Sequence, residues 1–284
     1  MSDSTRSSRE GKPSAAGSFL APDRVWNSFV AVGDSFTEGL DDQLRFDGRH
    51  RGWADRVAEQ LLQRQRIDQL AYANLAVRGR LIRQVLDEQI PRAVELRSDL
   101  VSIGAGVNDA LRKSFDLDAA ATDLEESVRR LTASGAHVLV FAFGDPSRRS
   151  RSLGRIADRM RSYRSATLEI ARTYGCTVVD FWGLAVYDDE RLWSSDRLHL
   201  SPLGHRLTAA AVLDALAIGD DRWRTPLAAP LRPSFGSRRA ADVQWFMAHA
   251  GPWAMRRIRG VSSGAGIEPK DPEYRVLVRP IHSP

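Results

Sequence analysis

The sequence has a single cysteine, Cys176, and no long run of apolar residues. One cysteine cannot form a disulfide within the chain, and it excludes a zinc site built from several cysteines. We therefore expect a reducing compartment, the cytoplasm. No uninterrupted apolar stretch approaches the roughly 20 residues needed to span a bilayer. Residues 1–18 are rich in arginine, serine, glycine and lysine, so we expect neither a secretory signal nor a membrane anchor.

The chain has 284 residues, 43% of them hydrophobic, which is enough to bury the core of one large or two small globular domains. Residues 1–22 are small and polar without periodicity, and they are predicted to form a disordered leader. The formal net charge is +5, and residues 222–284 contain eleven basic but only four acidic side chains. The basic character therefore belongs to the C-terminal segment.

Five short apolar runs are typical of strands buried on both faces of a sheet: Phe29–Val32, Leu70–Leu75, Leu100–Ile103, Val138–Phe143 and Thr177–Phe181. The segments between them show helical spacing, for example Trp53, Val57 and Leu61. Because parallel strands are connected by crossover helices, this alternation predicts an α/β sandwich with a parallel sheet. In such sheets ligands bind beyond the carboxyl ends of the strands, so chemistry is expected directly after each apolar run.

A serine follows the first predicted strand in the segment Gly33-Asp34-Ser35-Phe36-Thr37-Glu38-Gly39. Glycines permit a tight turn that would present the Ser35 hydroxyl at the sheet edge as a nucleophile. Serine and aspartate also commonly cap the helix that follows a strand, which is the alternative interpretation.

Two further strand ends carry possible hydrogen-bond donors. Gly79 tolerates a positive φ and would offer its backbone N–H, although a lone glycine is usually a turn residue. Asn108 would offer a side-chain N–H, although Asn-Asp pairs are also ordinary caps and loop formers. The preceding Gly104-Ala105-Gly106 lacks the third glycine of a dinucleotide-binding fingerprint.

The last predicted strand is followed by Asp196 and His199, three residues apart and directly before a helix that begins at Pro202. This carboxylate is suitably spaced to orient the imidazole, whereas the other five histidines are interpreted as structural. A base, an orienting carboxylate and N–H donors are what a nucleophilic serine needs for acyl transfer. Ser35, His199 and Asp196 would form that triad, with the N–H groups of Ser35, Gly79 and Asn108 as the oxyanion hole.

Residues 23–220 resemble the GDSL-type, or SGNH, hydrolase superfamily. The resemblance is carried by Gly33-Asp34-Ser35, Gly79, Gly106-Val107-Asn108-Asp109 and Asp196-Arg197-Leu198-His199, in the family's order, with Phe36 where leucine often stands. It implies a flavodoxin-like three-layer sandwich with a five-stranded parallel sheet. It also implies hydrolysis of a small-molecule ester or thioester through an acyl-enzyme on Ser35, without metal or cofactor.

Arg148 and Arg149 follow the fourth predicted strand and are candidates for binding an anionic part of the substrate, because guanidinium forks suit carboxylate and phosphate. The alternative is a solvated basic helix start.

Residues 221–284 lie beyond the family motifs and contain Trp223, Trp245 and Trp253. Since large apolar side chains are unfavourable in water, we expect this extension to pack on the hydrolase domain. Its Arg256-Arg257-Ile258-Arg259 cluster suggests a second class of function, in which a non-catalytic hydrolase scaffold binds polyanions. No recognised nucleic-acid motif accompanies the cluster, so no nucleic-acid partner is expected.

Overall fold

A computed structural model describes residues 24–148, 154, 156–228, 264 and 266–279. The predicted leader at residues 1–22, Arg149, Trp245, Trp253 and the basic cluster at residues 256–259 lie outside the described residues. Within the described part, no helix is both long enough and apolar enough to cross a membrane.

The sheet has six strands: β1 (Ser28–Gly33), β2 (Gln69–Asn74), β3 (Leu100–Gly104), β4 (His137–Ala142), β5 (Thr177–Asp180) and β6 (Asp271–Val278). Their order is β5-β4-β3-β1-β2-β6. Strands β1 to β5 are parallel, as predicted, and each lies within one residue of its predicted bounds. The register of β1 on β3 runs from Phe29 beside Leu100 to Gly33 beside Gly104.

The prediction of five strands was one short, because β6 adds an antiparallel edge strand beside β2. Its segment contains Pro272 and several charged residues, and all but its first residue are exposed or only partly buried. Proline and charge are common in edge strands, whose outer N–H groups need no partner, but they weaken the periodic apolar signal. The segment therefore lacks the continuous apolar run that predicts a buried strand.

Eight α-helices are described: α1 (Ser35–Glu38), α2 (Gly52–Arg64), α3 (Ile82–Gln84), α4 (Ile90–Leu96), α5 (Val107–Ala110), α6 (Leu117–Ala133), α7 (Ala157–Tyr174) and α8 (Pro202–Ala215). Helices α2 and α8 pack over one face of the sheet, whereas α3, α4, α6 and α7 cover the other. Each face has its own apolar core. The molecule is therefore a three-layer sandwich in which the strand ends remain free to hold a site.

Lys270, directly before β6, fixes the C-terminal strand to the loop between α1 and α2. Its ammonium donates hydrogen bonds to the carbonyls of Glu38, His50 and Arg51 at 2.7, 2.9 and 2.9 Å. It also lies 2.5 Å from a carboxylate oxygen of the buried Asp55. Because Lys270 is itself only 5% exposed, these bonds are what compensate the burial of its charge.

Candidate active site

Ser35 is the first residue of α1 and directly follows the end of β1. The cap of this helix is Asp34, whose Oδ1 accepts a hydrogen bond from the N–H of Phe36 at 3.0 Å. Ser35 is thus not the capping residue. Its hydroxyl instead points into a cleft at the carboxyl edge of the sheet.

Three side chains from distant parts of the chain meet at this edge. Nε2 of His199 lies 3.0 Å from Oγ of Ser35, and Nδ1 lies 2.5 Å from Oδ2 of Asp196. An ionised carboxylate can only accept a hydrogen bond, so Nδ1 carries the proton. Nε2 is then free to accept the hydroxyl hydrogen of Ser35.

The carboxylate of Asp196 is held by its own loop. Oδ1 accepts hydrogen bonds from the N–H groups of Leu198 and His199 at 2.8 and 2.9 Å and from the hydroxyl of Ser194 at 2.7 Å. Burial opposes ionisation, but the bond to His199 and the positive charge there hold the pKa of Asp196 well below its usual value. The carboxylate is therefore ionised and oriented throughout the neutral range.

The imidazole of His199 is surrounded by negative charge. Burial alone would lower its pKa, but the hydrogen bond and charge of Asp196, followed by the charges of Asp41 and Asp34, raise it. Asp41 lies in the loop after α1, with a carboxylate oxygen 4.0 Å from Nδ1. The other buried histidine at the cleft, His205, binds the carbonyl of Leu40 through Nε2 at 3.0 Å, and burial lowers its pKa to about 4.

Gly79 has a φ of +75°, a region that glycine enters freely. The preceding Arg78 is fixed by Glu38, which accepts its backbone N–H at 2.7 Å and its guanidinium Nε at 2.9 Å. Among the described residues, the N–H groups of Ser35 and Gly79 form no hydrogen bond. Both are therefore available to a ligand.

Asn108 is the second residue of α5, and Gly106, whose φ is +109°, directly precedes this helix. A Cβ at Gly106 would lie 2.3 Å from the ring of Tyr163, so only glycine fits there. The Nδ2 group of Asn108 donates to Oδ2 of Asp34 at 3.0 Å and to the carbonyl of Arg80 at 3.1 Å. Both of its N–H bonds are thus engaged within the protein.

A cavity of about 110 Å³ opens beside the hydroxyl of Ser35. Most of its walls are apolar, contributed by Phe36, Leu40, Val107, Leu111, Phe143, Pro146, Ile156, Met160, Phe181, Leu184, Tyr187, Trp193, Leu198 and Leu200. Arg148 also lines it, but Nε and a terminal nitrogen of its guanidinium bind the carboxylate of Asp188 at 2.9 and 2.5 Å. The fork expected to bind substrate is therefore occupied by an internal acid.

Gln89, which no sequence motif indicates, is a buried residue in the π-helical turn Val85–Gln89 between α3 and α4. Its Oε1 accepts the N–H of Gly33 at 2.8 Å, and its Nε2 donates to the Gly33 carbonyl at 2.9 Å. It thereby fixes the last residue of β1, two positions before Ser35. Such turns often occur at functional sites, but a change from α to π geometry leaves no clear mark in hydrophobic spacing.

Asp109 ends the motif Gly106-Val107-Asn108-Asp109. Its Oδ2 accepts the N–H of Ile82 at 3.1 Å, so it joins α5 to the start of α3. Burial raises the pKa of Asp109 to about 6. This buried acid lies one residue after Asn108 and contributes to the electrostatics of the site.

Among the described residues, one group has ligand atoms close enough together to hold a metal ion. It consists of Asp41, Asp196 and His199, whose ligand atoms all lie within 4.8 Å of one another. A metal at Nδ1 of His199 would displace the hydrogen bond to Asp196.

The model of the GDSL-like lipase/acylhydrolase family matches residues 31–207, and this range contains Ser35, Gly79, Asn108, Asp196 and His199. The chain belongs to this family. It is an SGNH esterase or lipase-like hydrolase, and the family acts on esters of small molecules. No curated protein sequence resembles the chain closely enough to count as a relative.

Solved structures of similar fold include three bacterial or environmental enzymes. LAE5, an alpha/beta hydrolase from the Lake Arreo metagenome, has 21% identity and a TM-score of 0.58 over 72% of this chain and all of its own. Axe2, an acetylxylan esterase from Geobacillus stearothermophilus, has 18% identity and a TM-score of 0.58 over 71% of this chain and all of its own. A lipase/acylhydrolase from Enterococcus faecalis has 20% identity and a TM-score of 0.56 over 67% of this chain and 95% of its own. At these identities the likeness shows a shared fold alone.

Proposed function

We propose that the protein hydrolyses carboxylic esters through an acyl-enzyme on Ser35, with His199 as base and Asp196 as its orienting partner. The observation that supports this most directly is the continuous chain of hydrogen bonds from Asp196 through His199 to Oγ of Ser35. Each atom in it has the donor or acceptor role that serine activation requires.

In the first half of the reaction, Oγ of Ser35 attacks the ester carbonyl while Nε2 of His199 takes the hydroxyl proton. Collapse of the tetrahedral intermediate breaks the bond to the alkoxy oxygen, which leaves as the alcohol with that proton. In the second half, water attacks the acyl-enzyme, gives a proton to Nε2, and Ser35 recovers a proton as the acid departs. Asp196 stabilises the imidazolium in both halves and remains ionised.

The negative oxygen of each intermediate needs donors that are already in place. The N–H groups of Ser35 and Gly79 are available, whereas Asn108 must exchange one of its two internal hydrogen bonds for one to the oxyanion. The bond to Asp34 is the one to be exchanged, because Asp34 adjoins the nucleophile in sequence. Asp34 thus holds the Asn108 amide near the site, and the amide turns to the oxyanion as negative charge develops there.

The walls of the cleft support an apolar acyl group as the preferred substrate. Acetylxylan is named for the Geobacillus enzyme, but an acetyl group would leave most of this apolar surface in water. Each methylene that leaves water contributes about 0.8 kcal/mol, or roughly fourfold in kcat/KM if its burial is retained in the transition state. Longer chains should therefore react faster until the cleft is filled.

The test is a series of p-nitrophenyl esters from acetate to decanoate, measured on the natural protein, on Ser35→Ala and on Ser165→Ala as the matched control. Ser165 is an exposed serine of α7, away from the cleft. We expect activity to rise beyond acetate, to persist in Ser165→Ala and to be lost in Ser35→Ala. Turnover by Ser35→Ala at the natural rate would exclude the acyl-enzyme, and a maximum at acetate would exclude the acyl-chain preference.

A further inference from the structure

Two carboxylates face the same nitrogen of His199. Asp196 binds Nδ1 directly at 2.5 Å, and a carboxylate oxygen of Asp41 lies 4.0 Å from that atom. Asp41 comes from the loop after α1, whereas Asp196 belongs to the same loop as His199. The proposed triad uses only one of the two.

The backbone around Asp41 is held on both sides. The carbonyl of Leu40 accepts a hydrogen bond from His205 at 3.0 Å, and the N–H of Asp42 donates to the carbonyl of Gly39 at 3.1 Å. The carboxylate of Asp42 is bound by Nε and a terminal nitrogen of Arg56 at 2.9 and 2.8 Å. Both neighbours of Asp41 are therefore anchored, and these anchors hold the segment that brings Asp41 near the imidazole.

Asp41 itself has a φ of +69°, in the left-handed region that is uncommon for residues other than glycine, although aspartate and asparagine adopt it more readily than most. Left-handed conformations of residues with a Cβ are unfavourable, and they persist where the surrounding structure imposes them, often at functional sites. Here the conformation turns the Asp41 carboxylate toward His199.

We propose that Asp41 is a positioning residue that stabilises the imidazolium form of His199 as a second, non-bonded carboxylate. This inference rests on the proposed function, because it assigns Asp41 a part in the same proton transfer. A negative charge beside Nδ1 favours the ring that has just received the hydroxyl proton. It acts through His199 and need not contact the substrate.

The charged groups around the imidazole determine the sign of the effect. Asp196 from its own loop and Asp41 from the loop after α1 favour the protonated ring, and Asp34 from the end of β1 does so when it is ionised. His205 from α8 also lines the cleft, but its low pKa leaves it neutral during catalysis. Removal of Asp41 therefore lowers the pKa of His199 and moves the acidic limb of the pH profile to lower pH.

The size of this change follows from the distance and the exposure of Asp41. Two unit charges about 4 Å apart in water-like surroundings alter a pKa by roughly 0.7. The side chain of Asp41 is 37% exposed, so a water-like value is appropriate and added salt should reduce it.

The experiment compares pH profiles of kcat/KM for p-nitrophenyl butyrate among the natural protein, Asp41→Asn, Asp41→Glu and Asp47→Asn. Asparagine tolerates the left-handed conformation, so Asp41→Asn should fold. Asp47→Asn is the matched control, because it removes one negative charge from the same loop and Asp47 instead pairs with Arg45. A parallel NMR titration reports the pKa of the His199 ring in each protein.

We expect Asp41→Asn to move the acidic limb and the ring pKa down by roughly 0.5–1 pH unit, and Asp41→Glu to recover at least part of this change. Asp47→Asn should leave both values in place. Equal acidic limbs and ring pKa values in Asp41→Asn and Asp47→Asn would overturn the role of Asp41. Full activity in Ser35→Ala would instead overturn the proposed function, so the two failures are distinguishable.

Discussion

Nδ2 of Asn108 donates a hydrogen bond to Oδ2 of Asp34, 3.0 Å away, directly beside the serine that the site presents. The same group also donates to the carbonyl of Arg80. The amide that the family resemblance assigns to the oxyanion hole is thus held by Asp34, the residue adjoining the proposed nucleophile. Truncation of Asn108 tests its proposed place in the oxyanion hole.

Asn108→Ala should lower kcat by about a hundredfold to a thousandfold with little change in KM, because a donor to the developing oxyanion acts mainly in the transition state. Kinetics with p-nitrophenyl butyrate provide the measurement. The control is Asn27→Ala, which truncates an exposed asparagine before β1. A loss of less than about threefold in Asn108→Ala would remove Asn108 from the oxyanion hole.

Asp34 should make folding pH-dependent. Burial raises its pKa from 3.8 to about 7, so the folded state binds the Asp34 proton more tightly than the unfolded chain does. The resulting stability is fully present below about pH 4 and is lost as the pH rises through 7. A pKa displacement of this size corresponds to a change on the order of 4 kcal/mol in the free energy of unfolding.

The difference in unfolding free energy between the natural protein and Asp34→Asn isolates this contribution. Asparagine caps helices as well as aspartate, so α1 keeps its cap. Urea unfolding at several pH values between 4 and 7.5 should show the natural protein losing stability relative to Asp34→Asn as the pH rises. Parallel curves for the two proteins would contradict the raised pKa.

Gln89→Leu should destabilise the end of β1. It removes the acceptor for the Gly33 N–H and one donor to the Gly33 carbonyl, and an unsatisfied buried group costs about 1–3 kcal/mol. We expect lower unfolding free energy and a lower kcat, because Ser35 is two residues away. Gln63→Leu, on the exposed side of α2, should change neither quantity. Equal effects of both substitutions would refute the role of Gln89.

Lys270→Met should destabilise the protein by about 3–5 kcal/mol, because it leaves the buried carboxylate of Asp55 without its closest cation. Asp55→Leu in addition should recover much of that loss, since no uncompensated charge then remains. A double-mutant cycle based on urea unfolding measures the coupling. Additive effects would show that Lys270 and Asp55 do not act as a pair.

The five parallel strands and the convergence of Ser35, Asp196 and His199 could be predicted because both have local signals. Buried parallel strands are continuous apolar runs, and residues at their carboxyl ends must lie at one sheet edge. The Asp-His spacing of three residues places both side chains in one loop. The remaining site contacts join residues far apart in sequence, without any periodic pattern.

Gln89, Asp41 and Arg148 illustrate that limit in different ways. Gln89 acts across 56 residues, through a turn whose π geometry the hydrophobic spacing does not reveal. Asp41 lies 158 positions before His199 in the chain, and its left-handed backbone has no signature in the spacing of apolar residues. Arg148 lies at the cleft as expected, but its partner Asp188 is 40 residues away, and an internal ion pair cannot be distinguished from a ligand site by composition.

Covalent labelling identifies the nucleophilic residue, for which we propose Ser35. The natural protein and Ser35→Ala would each be treated with a fluorophosphonate and then analysed by intact and peptide mass spectrometry. We predict one adduct per chain, located at Ser35, and no adduct in Ser35→Ala. Equal labelling of the two proteins, or an adduct at another residue of the natural protein, would show that Ser35 is not the nucleophile.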